Sequence, residues 1–434
     1  FLKGPDKMEP TFERAALAEG IYFTAIVDPK FKSNRLSVNL FMPLSEETAA
    51  GFAILPAILH RGCRDYPDPA DFSRRLAALY GASVDWDVKK LGDNQQISLS
   101  ISAIDDRFTL SGEPLTAEIS RILCSMLLDP VLEDGCFPAE AFETEKKGLL
   151  DNIRAELNNK VTLAATRCQQ VMCAGQPYAV NVLGSIEHAQ QLNRHDVFEA
   201  YNTLLRRAHI ELMFTGCGNA SIAREIVSAA FAGCDRQRPE QIKTVLKAPD
   251  KNIRTCTEQY AITQAKLSLG FTCGTAMGDA GEAAVNFMTA VLGGTPFSKL
   301  FLNVREKLSL CYYCSASYDH YKGIILINSG IEAQNRQRAE QEILSQLKAL
   351  QDGALSREEF DNTARLFDNL LTGVSDALGA TERFYLSRLV AGKQSTPAGE
   401  LAEIRALSPD TVIEAARRVQ LSTVYFMQPK EAQK

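Results

Sequence analysis

The chain has 434 residues, 45% of them hydrophobic and 23% charged, which is ordinary for a soluble globular protein of two or three domains. Its formal net charge of −6 and its lack of long Lys/Arg runs argue against a nucleic-acid surface. It contains no span of about 18 uninterrupted apolar residues, so we expect no transmembrane helix.

The cysteines indicate the compartment. There are 11, and most lie in apolar runs, which predicts reduced, buried thiols. Residues 1–7 lack the apolar core of a signal peptide, so we expect a cytoplasmic protein. Cys311 and Cys314 form a C-x-x-C pair in a strand-like run, where positions i and i+3 face opposite sides of a sheet. The pattern therefore favours simple packing over a redox or zinc role.

Hydrophobic alternation predicts strands in the first half of the chain, and helical spacing predicts helices. Pro69 and Gly81 bound the second helix, and residues 91–94 predict a tight turn between two strands. In chain order the predicted elements are strands 21–27 and 36–42, helices 51–61 and 71–80, strands 83–89 and 95–103, helices 114–128, 138–159 and 186–204, strand 210–215 and helix 221–231.

The second half repeats the first after a polar segment. Residues 266–272 correspond to strand 35–41, residues 281–292 to the helix after Gly51, and residues 309–317 and 323–331 to the strand pair. A repeat this long predicts a duplicated domain. We therefore predict an α+β fold of two homologous domains, each a mainly antiparallel sheet with helices on one face. The predicted division is domain 1–236, linker 237–254 and domain 255–434.

The stretch Gly-Phe-Ala-Ile-Leu-Pro-Ala-Ile-Leu-His-Arg-Gly, residues 51–62, carries the main functional signal. It resembles the zinc-motif helix of the pitrilysin, insulysin and mitochondrial processing peptidase family, which has His-x-x-Glu-His, a short apolar stretch, a basic residue and Gly. Aligned on Gly62, the two metal histidines fall on Ala53 and Ala57, and the general-base glutamate falls on Pro56. Ala and Pro side chains carry no donor for Zn²⁺ and no base for its water.

The third zinc ligand of the family is the second acid of a Glu-x6-Glu pattern, which falls here on Asn152, after Glu145. A catalytic zinc needs three protein ligands, so we predict degenerate positions at Ala53, Pro56, Ala57 and Asn152, with no metal and no cofactor. For Glu145 we expect an ion pair with a lysine of its own helix. We expect His60 to be a solvated or capping residue.

Two further segments carry the same resemblance. Residues 184–201 resemble the family's helix-loop-helix, and residues 292–312 resemble its signature in the second domain. In active members an Arg and a Tyr seven residues later reach the zinc site, and these positions are Arg305 and Tyr312 here. Their chemistry suits substrate binding. The alternative is that Arg305 pairs with Glu306 or another surface acid and that Tyr312 and Tyr313 fill a sheet face.

The resemblance implies an inactive-subunit branch of bacterial peptidase-like proteins. The first hypothesis is a catalytically inactive subunit that pairs with a zinc-bearing homologue in a heterodimeric peptidase. The second is a stand-alone peptide-binding or scaffold protein, or a homodimer. In the heterodimeric peptidase and in the stand-alone peptide-binding protein, the expected ligand is a peptide or an unfolded polypeptide. Nucleic acid and membrane are not expected partners.

Overall fold

The computed structural model describes residues 10–430, so the N-terminal residues considered for a signal peptide lie outside it. Among residues 10–430, none of the helices combines the length and the apolar character that crossing a bilayer requires.

Eleven strands and fourteen α-helices form the described chain, together with π-helical segments Ala290–Gly294 and Leu300–Lys307. The strands are β1 Thr11–Ala18, β2 Ile21–Val27, β3 Ser33–Pro43, β4 Ser83–Leu91, β5 Asn94–Ile104, β6 His209–Gly216, β7 Arg254–Tyr260, β8 Ala265–Thr272, β9 Cys311–Asp319, β10 Ile324–Ile331 and β11 Gln420–Pro429. The helices are α1 Ala49–Leu59, α2 Pro69–Ala78, α3 Leu115–Leu128, α4 Ala139–Asn158, α5 Lys160–Met172, α6 Ile186–Gln191, α7 Arg194–Arg207, α8 Ala220–Phe231, α9 Glu282–Thr289, α10 Arg336–Gln351, α11 Arg357–Gly373, α12 Leu378–Val390, α13 Pro397–Arg405 and α14 Pro409–Arg417.

The first compact unit contains the chain up to Arg154, Val180–Lys243 and Asp376–Leu386. Its six-stranded sheet has the order β1-β2-β6-β3-β5-β4, in which only β2 and β6 pair in parallel. Alternate residues of β3, such as Leu36 and Val38, face a core shared with α1, α3, α7 and α8. Period-2 alternation thus decides which face of the sheet packs against the helices.

The second compact unit contains Ala155–Ala179, Thr244–Ser375 and the chain from Ser387 on. Its sheet has the order β7-β11-β8-β10-β9, again with one parallel pair, β7 with β11. Without the edge strand β1, the first sheet has the same arrangement, which supports a duplication. The mainly antiparallel α+β fold of two similar domains is confirmed. The predicted boundaries at 236 and 255 stay a prediction, because compact units need not be continuous in sequence.

Helix α5 lies on the face of the second sheet opposite its main helical layer. Leu163 and Cys168 of α5 pack against Tyr425 and neighbouring residues of the sheet. The helix lies close to the sheet at Gly270 of β8, where an added Cβ would lie 2.8 Å from Met172 Sδ. A segment from the first half of the sequence is therefore part of the second compact unit.

Most predicted elements are confirmed, including the two-residue turn between β4 and β5. The single helix that periodicity predicted over residues 186–204 is wrong: there are two helices, α6 and α7, separated at Leu192 and Asn193, in agreement with the resemblance of residues 184–201 to a helix-loop-helix. The Asn193 side chain accepts from Asp196 N and so starts a new helix, as a good N-cap residue does.

The expectation that Cys311 and Cys314 face opposite sides of the sheet is also wrong. The register between β9 and β10 shifts near Tyr312, and both cysteines enter one core cluster. The bulge adds one residue to β9 and so resets the alternation of its side chains.

Candidate functional site

Helix α1 carries three of the four degenerate zinc positions. All eleven of its residues are buried, and Ala53 and Ala57 keep only 3% and 7% of their surface exposed. A helix that is apolar on every side is a core helix. Pro56 sits inside it and has no N–H to donate to the carbonyl four residues earlier. The Gln95 side chain holds the start of the helix by donating to Ala49 O.

The donor chemistry of these residues does not fit a zinc ion. Ala53 and Ala57 lie one helical turn apart and offer only methyl groups; both are buried, and Ala53 packs in the apolar core of the first unit. Pro56 offers no carboxylate to activate water. Asn152 lies exposed on α4. Within the part of the chain that the structure describes, no three His, Cys, Asp or Glu side chains are grouped so as to hold a metal ion.

Glu145 pairs with the end of α1 rather than with a lysine of its own helix, so that expectation is wrong. Arg61 Nη1 donates to Glu145 Oε1 over 2.9 Å, and both side chains are largely buried, with 29% and 21% exposed. The structure thus brings Glu145 to α1. The pairing leaves a permanent guanidinium charge beside the one acid of the pattern that this sequence retains.

His60 follows α1 and is half-buried. Burial lowers its pKa, and the nearby carboxylates of Glu145 and Asp85 oppose that effect only in part. Its backbone N–H closes the helix by donating to Pro56 O over 2.9 Å. The predicted capping role thus has a backbone contact, although the side chain is less solvated than expected.

Gly62, the glycine of the matched tail, is required by a close backbone approach. A Cβ at this position would lie 2.4 Å from Tyr66 O. The turn is closed by mutual backbone hydrogen bonds between Cys63 and Tyr66. A cavity of about 400 Å³ opens beside it; its lining includes Ile58, Arg61, Phe137 and four prolines, 67, 69, 130 and 138. The Arg-Gly tail therefore has a structural role even where the zinc donors are missing.

Arg305 lies in the second unit, in a π-helical segment that precedes β9. Its guanidinium stacks 4.6 Å from the Phe301 ring centre and lies 3.5 Å from Glu306, as the structural alternative expects. Its side chain nevertheless keeps 41% of its surface exposed. The contacts suit either role, so substrate binding by Arg305 stays a prediction.

Tyr312 points outward at the bulge of β9 and is 59% exposed. Its hydroxyl donates to Glu332 Oε1 over 2.5 Å, and this hydrogen bond raises the pKa of the phenol. The outward direction does not match a tyrosine that fills the sheet face. Substrate binding by Tyr312 stays a prediction, and a substrate would have to replace Glu332 as acceptor.

Two partners of the candidate residues were missed by sequence reasoning. Glu332 follows β10 and meets Tyr312 only because the hairpin folds back on itself, and Arg61 meets Glu145 across 84 residues. The sequence retains Glu145, the first acid of the Glu-x6-Glu pattern, but has Asn152 in place of the second. This loss was a signal that Glu145 has a different partner here. No spacing rule identifies which basic side chain is that partner.

Comparison with known proteins shows which proteins this chain is similar to. A family described as "Peptidase M16 inactive domain" matches residues 191–367. "Probable inactive metalloprotease YmfF" of Bacillus subtilis (strain 168) is 27% identical over 93% of this chain and 94% of its own length. "Uncharacterized zinc protease YmxG" of the same organism is 27% identical over 41% of this chain and 44% of its own length. A conserved protein from Enterococcus faecalis V583 has a solved structure with a TM-score of 0.89 at 25% identity, covering 98% of this chain and 100% of that one.

These matches agree with the predicted non-catalytic peptidase homologue, because the matched domain is described as inactive and the relative matched over most of both chains as probably inactive. The zinc-peptidase resemblance seen in the sequence is thereby confirmed. The chain is therefore similar, over most of its length, to M16 peptidase-like proteins that are described as inactive.

Proposed function

We propose that this chain is a non-catalytic subunit that pairs with a zinc-bearing homologue to form a heterodimeric peptidase. The observation that carries the proposal is an asymmetry between the two units. Ala53 and Ala57 present methyl groups where the family has its zinc ligands, whereas Arg305 and Tyr312 keep exposed polar groups. Such a chain can contribute contacts to a substrate but cannot activate water.

The two retained side chains have chemistry that suits a peptide. The Arg305 guanidinium is a planar donor that can bind a carbonyl or carboxylate through two hydrogen bonds. The Tyr312 hydroxyl can donate to a developing oxyanion once it leaves Glu332. Neither group lowers the pKa of water as zinc does, so the nucleophile must come from the partner chain.

The relatives support a pair of this kind. YmfF and YmxG occur in one organism, and their names describe a probably inactive metalloprotease and a zinc protease. We place the pair in the bacterial cytoplasm, because all eleven cysteines of this chain are free thiols and each is buried or partly buried, as in a reduced protein.

The test is co-expression with a homologue that carries His-x-x-Glu-His, followed by co-purification and a quenched-fluorescent peptide assay. We expect a stable complex that cleaves peptides, while this chain alone does not. Arg305→Ala should lower kcat/KM of the complex about 10- to 100-fold, the range for losing a hydrogen bond from a charged group. Arg357→Ala is the matched control, because Arg357 is 81% exposed and pairs within its own helix with Asp361.

Two results would overturn the proposal. One is peptidase activity of the isolated chain that EDTA abolishes. The other is the absence of any complex with zinc-bearing homologues from the same organism. Loss of co-purification in Arg305→Ala would mean that this residue belongs to the interface and not to the substrate site.

A stand-alone peptide-binding or scaffold protein, including a homodimer, is the second candidate. It is favoured by the exposure of Arg305 and Tyr312 in a chain that lacks zinc donors. Titration of a fluorescein-labelled unfolded peptide into the isolated chain tests it, with Arg305→Ala beside the wild type. Binding that the substitution weakens supports peptide capture, and no binding to either protein rules capture out.

A further inference from the structure

The pair Cys311 and Cys314 has a geometry that its sequence spacing does not reveal. In the ladder between β9 and β10, Cys314 pairs with Ser329 and Tyr313 pairs with Gly330, but the next residue of β10, Ile331, pairs with Cys311. Tyr312 is therefore an extra residue on β9. The bulge turns an i, i+3 spacing into the equivalent of i, i+2, so both cysteines point to the same face.

Burial agrees with this placement. Cys311 and Cys314 are 8% and 5% exposed and belong to one core cluster with Ile331. Two strand steps span about 6.6 Å, which is near the upper end of the Cα–Cα distances that a disulfide bridges. A bond formed here would be strained, and strained disulfides are the ones that are readily reduced.

The two thiols also differ in reactivity. A hydrogen bond from Cys314 lowers the pKa of Cys311, burial opposes this, and the positive charge of Arg305 adds to the lowering. The same hydrogen bond, together with burial, raises the pKa of Cys314. Cys311 is also the first residue of β9, an edge strand of its sheet. It is thus the thiol more accessible to a reagent and the better nucleophile.

We propose that Cys311 and Cys314 form a reversible intrachain disulfide by exchange with a low-molecular-weight disulfide such as oxidised glutathione. The Cys311 thiolate attacks one sulfur of that disulfide, forming a mixed disulfide and releasing one thiolate. Cys314 loses its proton to water and attacks the Cys311 sulfur, which releases the second thiolate. Two protein thiols are oxidised by two electrons, and the small disulfide is reduced to two thiols.

The consequence falls on Tyr312, which the new ring would enclose. The bulge sets the outward direction of this side chain and its hydrogen bond to Glu332. Closing the ring draws Cys311 and Cys314 together around Tyr312 and Tyr313 and so changes the direction of Tyr312. The disulfide itself needs neither a partner chain nor a peptide, so it stands apart from the proposed function.

Trypsin makes the test direct. Residues 308–322 follow Lys307 and end at Lys322, with no Lys or Arg before it, so one tryptic peptide carries both cysteines and no others. The folded full-length chain is equilibrated in glutathione buffers of increasing oxidised fraction, quenched in acid, alkylated and digested. We expect this peptide to become unalkylated and two hydrogens lighter as the oxidised fraction rises, and dithiothreitol to reverse the change. The five other buried cysteines serve as internal controls and should stay alkylated: Cys63, Cys124, Cys168, Cys173 and Cys273.

Single substitutions test the order of attack. Cys314→Ser should accumulate a mixed disulfide with glutathione at Cys311, because the attacking thiol remains and the resolving thiol is gone. Cys311→Ser should leave Cys314 as a free thiol. Complete alkylation of both cysteines in the wild type at the most oxidising ratio would overturn the proposal, as would oxidation that occurs only in urea.

Discussion

The ion pair between Arg167 of α5 and Glu258 of β7 is expected to hold α5 on the second sheet. Arg167 donates two hydrogen bonds to the Glu258 carboxylate, one of them Nε to Oε2 over 3.2 Å. The hydroxyls of Tyr260 and Tyr425 donate to the same Oε2 over 2.9 and 2.7 Å. The perturbation we propose is Glu258→Gln, which keeps the shape of the side chain and removes its charge.

The magnitude follows from the pKa of Glu258. The hydrogen bonds from Arg167 lower this pKa most, and those from the two tyrosines lower it further. Burial acts in the opposite direction, and the net result is a pKa lowered from 4.5 to about 2. That change alone is equivalent to about 3 kcal/mol. Because the Arg167 and Glu258 side chains keep 37% and 24% of their surface exposed, solvent screening reduces the expected effect to about 1–2 kcal/mol.

The sign of the pH dependence follows from the lowered pKa in the folded state. The stabilisation is fully present above about pH 4.5 and is lost as the pH falls towards 2, because the folded carboxylate must then take up a proton. Glu258→Gln should therefore be less stable than the wild type at pH 7. The difference should shrink between pH 4.5 and pH 2.

Hydrogen exchange of the amides in α5, at pH 7 and pH 3.5, measures this effect where it acts. Urea unfolding at the same two pH values gives the change in unfolding free energy. Glu414→Gln is the matched control, because Glu414 is 59% exposed and its ion pair is with Arg417 of the same helix. Equal protection of α5 in variant and wild type at pH 7 would refute the reasoning, and so would a difference that persists unchanged at pH 3.5.

Three further predictions concern single positions. Gly62→Ala should destabilise the first unit by about 1–3 kcal/mol in urea unfolding, because its Cβ meets Tyr66 O, whereas Gly233→Ala, with open space around the new Cβ, should be nearly neutral. Ser309 has a φ of +49°, so thermal unfolding should rank Ser309→Gly as the most stable, then the wild type, then Ser309→Val; the reverse order would contradict the strain. The buried Asn34 side chain makes four hydrogen bonds, so Asn34→Ala should cost about 3–5 kcal/mol, and a melting temperature equal to that of the wild type would contradict this.

The secondary structure was largely predictable because its causes are local. Alternation over a few residues predicted β2 and the β4–β5 hairpin, and helical spacing predicted α1 in spite of Pro56. Helical spacing alone missed the split between α6 and α7, which only the resemblance to a helix-loop-helix implied, because Asn193 has two roles in principle. An asparagine can be tolerated inside a helix or can cap one, and only the hydrogen bond to Asp196 N shows which occurs.

The candidate site also has one part that could be predicted from local sequence and one part that could not. The lack of zinc donors at Ala53, Pro56 and Ala57 is a property of residue type, so it could be concluded without coordinates. The partner of Glu145 could not, because several basic residues were equally available until the fold brought Arg61 within 2.9 Å.

The amino-acid sequence alone determined the fold class, the internal duplication and the loss of metal-binding chemistry, since each depends on residue type and periodic spacing. The tertiary structure decided which charges meet, which unit contains α5 and on which face two cysteines lie. These depend on contacts between distant residues and on strand register, and a single extra residue in β9 was enough to reverse an inference from spacing.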